Sequence, residues 1–379
     1  MKELIINHFL NYEFVYVFLF CSIIFLLIAM FAACKVIKKI SIIVCSLFFI
    51  LFAFEFVLSL FMEKCIFANK NEELFVMPNK HDIFYQGEIF LWNEKNNRSH
   101  RIISQKKDEI ERTTKEYLNK GYKILYDNKF SLYSNGLRYT KSNANGENVY
   151  VFLGGSFTFG SCVGDEETLP YYFSELNRFD ANVLNLGCGS KGSNYTLNML
   201  NSEIIDGFTD KNRKVTYFVY SLIGDHIYRN FRMMNCGRGG VDPWIKKDNN
   251  WIFMADHPYK KIRKMFIRSF LFRKTFLNII DNLNIQYYRN YLLSSLQEIK
   301  EIIANRYKSK LIIIVWPEFY GDKFIENLQN LDIELILLPE YFNSEELGYR
   351  LKDYHPTAKA NEEIAEILYN HIKEQDKKN

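Results

Sequence analysis

A chain of 379 residues, 48% hydrophobic and 24% charged, is long enough to bury a sizeable core and is not a wholly disordered polymer. Its formal net charge of +4, with no basic stripe, excludes nucleic acid as an expected partner. Seven scattered cysteines with no C-x-x-C pair remove the commonest zinc pattern, so neither a metal nor a cofactor is expected.

In chain order, residues 14–34 (FVYVFLFCSIIFLLIAMFAAC) are uncharged, almost wholly apolar and long enough to cross a bilayer as a helix. A linker with Lys35, Lys38 and Lys39 follows, then a second apolar stretch at 40–62. The first stretch is too long for a signal-peptide core, so residues 1–62 read as a transmembrane hairpin. Three lysines in the tight loop, against one lysine and two glutamates in the tail before residue 14, put the loop in the cytoplasm and both chain ends outside. The expected location is therefore the bacterial cytoplasmic membrane, with the rest of the chain periplasmic or extracellular. Glu55 interrupts the second stretch, as a near-interface residue or as a contact for a partner membrane protein.

Residues 63–147 are mixed and polar and read as a lead-in that packs on the main domain. Within it, 106–120 predicts a short exposed helix, 129–133 a strand, 134–139 a turn back toward the sheet and 142–146 a loop. From residue 148 the pattern is regular. Strands are expected at 149–153, 182–186, 215–220, 311–316 and 333–338, and helices at 168–176, 195–205, 290–309, 318–328 and 356–374. Alternating strands and helices imply an α/β domain over 148–379 with a mostly parallel sheet. A long basic, aromatic insertion occupies about 230–289.

The chemistry concentrates at two places. The apolar run 149–153 enters Gly154-Gly155-Ser156-Phe157-Thr158-Phe159-Gly160, at the strand end where open α/β sheets bind ligands. Ser156 is there either a plain helix N-cap or a nucleophile presented by two glycines. Near the C-terminus, Asp353-Tyr354-His355-Pro356 opens an amphipathic helix. Asp353 can cap that helix and His355 can be a surface histidine. Together with Ser156, however, they supply the hydroxyl, imidazole and carboxylate that nucleophilic hydrolysis requires. Ala255-Asp256-His257-Pro258 imitates the second motif but lacks the preceding strand and following helix, so His355 is the better base. A metal site of Asp225, His226 and His355 has no supporting ligand spacing. Cys162 and Cys188 flank the proposed site, and a disulfide between them is compatible with an extracytoplasmic domain.

The order of these motifs resembles the SGNH (GDSL-like) serine hydrolase and acyltransferase superfamily, in its membrane-anchored bacterial branch. Three pieces carry the resemblance: residues 154–160 with Asp165-Glu166-Glu167-Thr168-Leu169-Pro170; Val183-Leu184-Asn185-Leu186-Gly187; and Asp353-Tyr354-His355-Pro356. It covers roughly residues 150–371 and implies a three-layer, flavodoxin-like domain. It assigns Ser156 as nucleophile, His355 as base and Asp353 as the residue that orients the base. The chain lacks the G-x-S-x-G elbow of α/β-hydrolases.

The family builds its oxyanion hole from the serine N–H, a second-block glycine N–H and a third-block asparagine side chain. Here Ser190 stands at the usual glycine position, with Gly189 and Gly192 as neighbours. No asparagine occupies the third block, Leu222-Ile223-Gly224-Asp225-His226-Ile227-Tyr228-Arg229, leaving His226 or Arg229 as the replacement donor.

The resulting expectation is an extracytoplasmic serine esterase or O-acyltransferase acting on acyl esters of a cell-envelope glycan or lipid. A membrane-bound O-acyltransferase is the partner the resemblance implies. The competing expectation is a non-catalytic saccharide-binding or assembly subunit of an envelope polysaccharide-modifying complex.

Overall fold

The computed structural model describes residues 23–24, 39–47, 49–50, 83–93, 98–133, 137–189, 191–201, 205–206, 214–229, 244–247, 250–253, 285–319 and 323–378. The chain divides into two compact units, residues 1–69 with 231–288 and residues 70–230 with 289–379.

In the first unit, residues 39–47 and 49–50 are helical, and Trp244–Lys247 pairs with Asn250–Phe253 as an antiparallel hairpin. Most of the two expected membrane spans, together with Glu55 and His257, lies outside the described residues. Among the described residues, no helix is long and apolar enough to cross a membrane.

The second unit begins with strands β1 (Ile83–Asn93) and β2 (Arg98–Ser104), helix α1 (Lys107–Asn119) and strand β3 (Lys123–Tyr133). The three strands form an antiparallel sheet in the order β2-β1-β3. Ile89, Leu91, Ile102 and Tyr122 make its small core, against which Ile110 and Tyr117 of α1 pack. The alternation of β3 leaves Tyr126, Asn128 and Phe130 more buried than their immediate neighbours Leu125, Asp127 and Lys129. The expected strand at 129–133 is only the end of β3, and β1 and β2 were not expected. Gly87 and the fully buried Glu88 in mid-strand break the apolar alternation that would have marked β1.

The remainder of this unit runs through β4 (Val149–Gly154), α2 (Ser156–Phe159), α3 (Leu169–Leu176), β5 (Asn182–Asn185), α4 (Ser193–Asn201), β6 (Val215–Leu222) and α5 (His226–Arg229). After the hairpin strands β7 and β8 of the first unit come α6 (Ile285–Arg306), β9 (Lys310–Val315), α7 (Lys323–Gln329), β10 (Glu334–Leu337) and α8 (Ala358–Lys378). Strands β10-β9-β6-β4-β5, in that order, form an all-parallel five-stranded sheet. Relative to the order of these strands in the chain this is the doubly wound 2-1-3-4-5 arrangement, whose winding reverses between β4 and β6.

Every residue of β4 is buried, as a central strand covered on both faces requires. On one face Tyr150, Phe152, Tyr217, Val219, Ile312, Ile314 and Ile336 form a core with Phe173 of α3 and with Ala360, Ile364, Leu368 and Ile372 of α8. The four-residue spacing along α8 is the stripe that a helix lays on a sheet. The other face meets the end of α6, where the Phe218 and Tyr307 rings lie 5.1 Å apart. The expected α/β sheet is therefore present, and its winding reverses between β4 and β6.

Candidate active site

Ser156 opens α2 directly after β4 and is 4% exposed. The helix is one turn long and ends at Gly160 in a left-handed conformation. Thr158 Oγ1 donates to the Leu153 carbonyl, tying the turn back onto the strand. The β5 loop supports it from the side, where Asn185 Nδ2 donates to the Thr158 carbonyl and its Oδ1 accepts from the Gly187 N–H. A Cβ on Gly187 would stand 2.4 Å from the Phe159 nitrogen, so this close passage of two backbones needs glycine.

His355 and Asp353 sit on a turn between β10 and α8, closed by bonds from Leu351 N–H to the His355 carbonyl and from Tyr354 N–H to the Leu351 carbonyl. Asp353 Oδ2 lies 2.8 Å from His355 Nδ1, and Oδ1 accepts the His355 backbone N–H at 3.2 Å. A proton on Nδ1 leaves Nε2 able to accept one, the state a general base needs. Burial pushes the Asp353 carboxyl up, but hydrogen bonds from His355 and from the Cys162 thiol outweigh it and hold the group below its ordinary value. The imidazole ring is 5.5 Å from the Phe157 ring, which places it beside the residue that follows Ser156.

Arg350 locks this turn to the Ser156 helix. It is 3% exposed, donates to the Phe342 and Tyr354 carbonyls, and pairs with Glu318 at 2.6 Å. Its guanidinium stacks over Trp316 at 4.1 Å and over Phe157 at 4.7 Å. Nothing in the local sequence distinguishes it from an exposed arginine.

The loop after β6 supplies the third wall. A Cβ on Gly155 would stand 2.6 Å from Arg229 Nη1, 2.9 Å from His226 Nε2 and 3.2 Å from the Lys191 carbonyl oxygen. His226 is fully buried, and its Nδ1 lies 2.9 Å from the Tyr220 hydroxyl. Among the described residues, Nε2 has no hydrogen-bond partner. Burial, with a smaller push from Arg229, lowers the His226 pKa well below the ordinary imidazole value, so the ring is neutral. Arg229 is engaged by Asp225 at 3.1 Å and by the Lys191 carbonyl at 3.2 Å.

Of the residues expected from sequence, His355 and Asp353 are in direct contact, and His226 and Arg229 meet Gly155 beside Ser156. Gly189 lies in the turn closed from Lys191 N–H to the Cys188 carbonyl, and the Gly192 carbonyl accepts from Tyr195. Ser190 lies outside the described residues. Cys162 and Cys188 each carry a thiol rather than sharing a disulfide, and Cys162 Sγ faces Asp353 Oδ2 at 3.3 Å.

Ligand atoms of Cys162, Asp353 and His355 lie within 4.8 Å of one another, a donor set of the kind that holds a cation. They already hydrogen-bond among themselves, so a cation there would displace the His355–Asp353 bond. Sequence reasoning missed Arg350, Tyr220, Arg138 and the contact of Cys162 with Asp353. The last carries no local signal, because the two residues are 191 positions apart.

No family model matches the chain, and no curated protein matches it. Among solved structures it is similar to TesA, with a TM-score of 0.35 and 13% identity over 59% of this chain and 96% of that one. It is similar to the psychrotrophic esterase EstA from Pseudoalteromonas sp., with a TM-score of 0.36 and 12% identity over 60% and 98% of the two chains. A third is the acetyl xylan esterase Axe2 from Geobacillus stearothermophilus, with a TM-score of 0.32 and 11% identity over 59% and 93%. Likenesses this loose do not carry a residue's role from those proteins to this one.

Proposed function

We propose that the chain is a serine enzyme of the SGNH kind that breaks or transfers ester-linked acyl groups through an acyl-Ser156 intermediate. The observation that carries the reading is the His355–Asp353 pair, with Nδ1 committed to a buried carboxylate and the ring set beside the Ser156 helix, at the point where the sheet's winding reverses. That is where doubly wound sheets place ligands.

In this reading Ser156 Oγ attacks the acyl carbon while His355 Nε2 takes its proton. Charge develops on the carbonyl oxygen, where the Ser156 N–H at a helix start meets it. His226 provides the second donor. With the Tyr220 hydroxyl donating to Nδ1, the single imidazole proton sits on Nε2, beside Gly155 and, among the described residues, without a hydrogen-bond partner. A neutral donor suits the role, because it polarises the oxygen without placing a second positive charge near the imidazolium that forms on His355. The tetrahedral species collapses, the leaving alcohol takes the proton from His355, and an acyl ester remains on Ser156. A second acceptor, water for an esterase or a sugar hydroxyl for an O-acyltransferase, reverses the steps and restores the serine.

The substrate side of the proposal is an acyl ester of a cell-envelope glycan or lipid, handled outside the bacterial cytoplasmic membrane beside a membrane-bound O-acyltransferase. Two features support an anchored protein: the uncharged run at 14–34 and the helical residues 39–47 and 49–50. These present Ile40, Ile42, Ile43, Leu47, Phe49 and Ile50 as exposed side chains, and so large an exposed apolar surface calls for an apolar surround.

The test is fluorophosphonate labelling of the full-length protein, read by intact mass. One adduct is expected, absent in Ser156→Ala and formed at least about a hundredfold more slowly in His355→Ala. Labelling that survives Ser156→Ala, or a folded wild type that takes no label, overturns the proposal.

A further inference from the structure

The antiparallel sheet of residues 83–133 has no part in the chemistry described so far, yet it grips one residue of the active-site turn from three directions. Cys162 follows the Ser156 helix and is 3% exposed. Its N–H donates to Oε2 of Glu88 on β1 at 3.2 Å, and its carbonyl accepts from Nδ2 of Asn128 on β3 at 2.5 Å. The hydroxyl of Tyr126, also on β3, lies against its sulfur.

The backbone at Cys162 has φ +77°, a conformation that residues with side chains rarely adopt. A position of that kind persists only where its surroundings over-determine it, as these three contacts do. The outcome is that Sγ lies 3.3 Å from Oδ2 of Asp353, the same oxygen that meets His355 Nδ1.

The same sheet holds the rest of the turn. Asp165 accepts the Ser131 N–H at 2.9 Å and also its hydroxyl, and it pairs at 3.2 Å with Nε of the fully buried Arg138. Arg138 in turn donates to the Gly160 and Val163 carbonyls on either side of Cys162. A cysteine that merely filled space would need neither the left-handed backbone nor hydrogen bonds to both of its peptide groups.

We infer that the antiparallel sheet is part of the catalytic apparatus, and that Tyr126 and Cys162 are positioning residues in a chain Tyr126 O–H to Cys162 Sγ–H to Asp353 Oδ2. This deepens the serine reading and rests on it. The Asp353 side chain is only 8% exposed, and each donor on Oδ2 replaces water that has been excluded. The thiol donates to the same oxygen that meets His355 Nδ1, so that the carboxylate stays charged and aimed at Nδ1. A hydroxyl in front of the sulfur polarises the thiol and strengthens the bond it donates. The antiparallel sheet thus reaches the base through side chains.

The test compares Cys162→Ala, Cys162→Ser and Tyr126→Phe in the full-length protein. It reads the fluorophosphonate labelling rate constant, with circular dichroism confirming the fold. Alanine removes the donor and serine restores one, and both fit a left-handed backbone equally well. Loss of one hydrogen bond to a charged carboxylate should slow Cys162→Ala about tenfold. Cys162→Ser should stay within about threefold of wild type and Tyr126→Phe should fall between the two.

A role in packing alone predicts the opposite ranking, since serine puts an additional polar group in the same space. Alanine and serine variants that slow equally, or an alanine variant that does not slow, overturn the inference and leave the serine reading intact. Should Cys162→Ala fail to fold, Tyr126→Phe decides: at least about threefold slowing supports the chain, and wild-type labelling overturns it. A folded, unlabelled wild type removes the serine reading itself, and the inference with it.

Discussion

Replacing His226 by leucine and Tyr220 by phenylalanine together should separate what the site costs the fold from what it gives the reaction. His226 is fully buried and its Nε2 has no partner among the described residues. An unsatisfied buried polar group costs about 1–3 kcal/mol, whereas the Tyr220–His226 hydrogen bond contributes only about 1 kcal/mol. Removing all of these polar atoms should therefore leave the unfolding free energy unchanged or raise it by up to about 2 kcal/mol. In a protein of this size each kcal/mol moves Tm by about 2–4 °C.

Catalysis should move the other way. The loss of one preorganised donor costs about 2.7–4 kcal/mol of transition-state stabilisation, or about 10²–10³ in rate. His226→Leu alone strands the Tyr220 hydroxyl and should be less stable than the double variant. Thermal unfolding and fluorophosphonate labelling on the same samples read both quantities. A double variant that labels at the wild-type rate refutes the oxyanion role. One that loses more than about 2 kcal/mol refutes the view that Nε2 is an unsatisfied donor in the resting protein.

Two further outcomes follow from the turn that carries the base. Arg350→Met should destabilise the protein by about 1–3 kcal/mol in urea unfolding and abolish labelling, because it leaves the Phe342 and Tyr354 carbonyls without their donor and so unpins the turn. A variant that unfolds normally and still labels would show that the Trp316–Arg350–Phe157 stack does not hold the turn. The second concerns acid. Asp353 has a folded-state pKa below its ordinary value of 3.8, so its ionised form stabilises the fold above that value, and the contribution disappears as pH falls through the depressed folded-state value. Wild type should therefore be more stable than Asp353→Asn at pH 7, with the gap closing toward pH 3. A gap of constant size would mean that the carboxylate charge contributes nothing to stability.

The parts of this protein that can be read from the chain are those whose physics is local. The apolar runs at 149–153 and 311–316 become strands buried on both faces, and the four-residue apolar spacing after Pro356 becomes the stripe of α8. Asp353 and His355 are legible as a pair because two residues of spacing on a turn already bring carboxylate to imidazole. What escapes the sequence depends on distant partners. Arg138, within the expected turn at 134–139, and Arg350 carry no local signal of burial, yet both are buried against aromatic rings and donate to backbone carbonyls. The strand β1 is masked by Glu88, whose charge makes sense only beside the Cys162 N–H. His226 was one of two candidate donors. Its burial, and the Tyr220 hydroxyl on its other nitrogen, distinguish it from Arg229, which is already held by Asp225 and Lys191.

The wide separation in sequence of the groups that meet at Asp353 has a bearing on biosynthesis. The thiol and the carboxylate it faces are made 191 residues apart, and the imidazole emerges two positions later still. During vectorial synthesis the serine turn and the sheet that braces it leave the ribosome long before the base exists. A nascent or stalled chain can therefore display Ser156 without being able to activate it. On the proposed serine mechanism, reactivity would be acquired only when α8, whose apolar stripe closes one face of the parallel sheet, has docked. Nucleophilic competence would then be a checkpoint on complete folding: a polypeptide that has not finished its core would have no working hydroxyl to spend on the wrong ester.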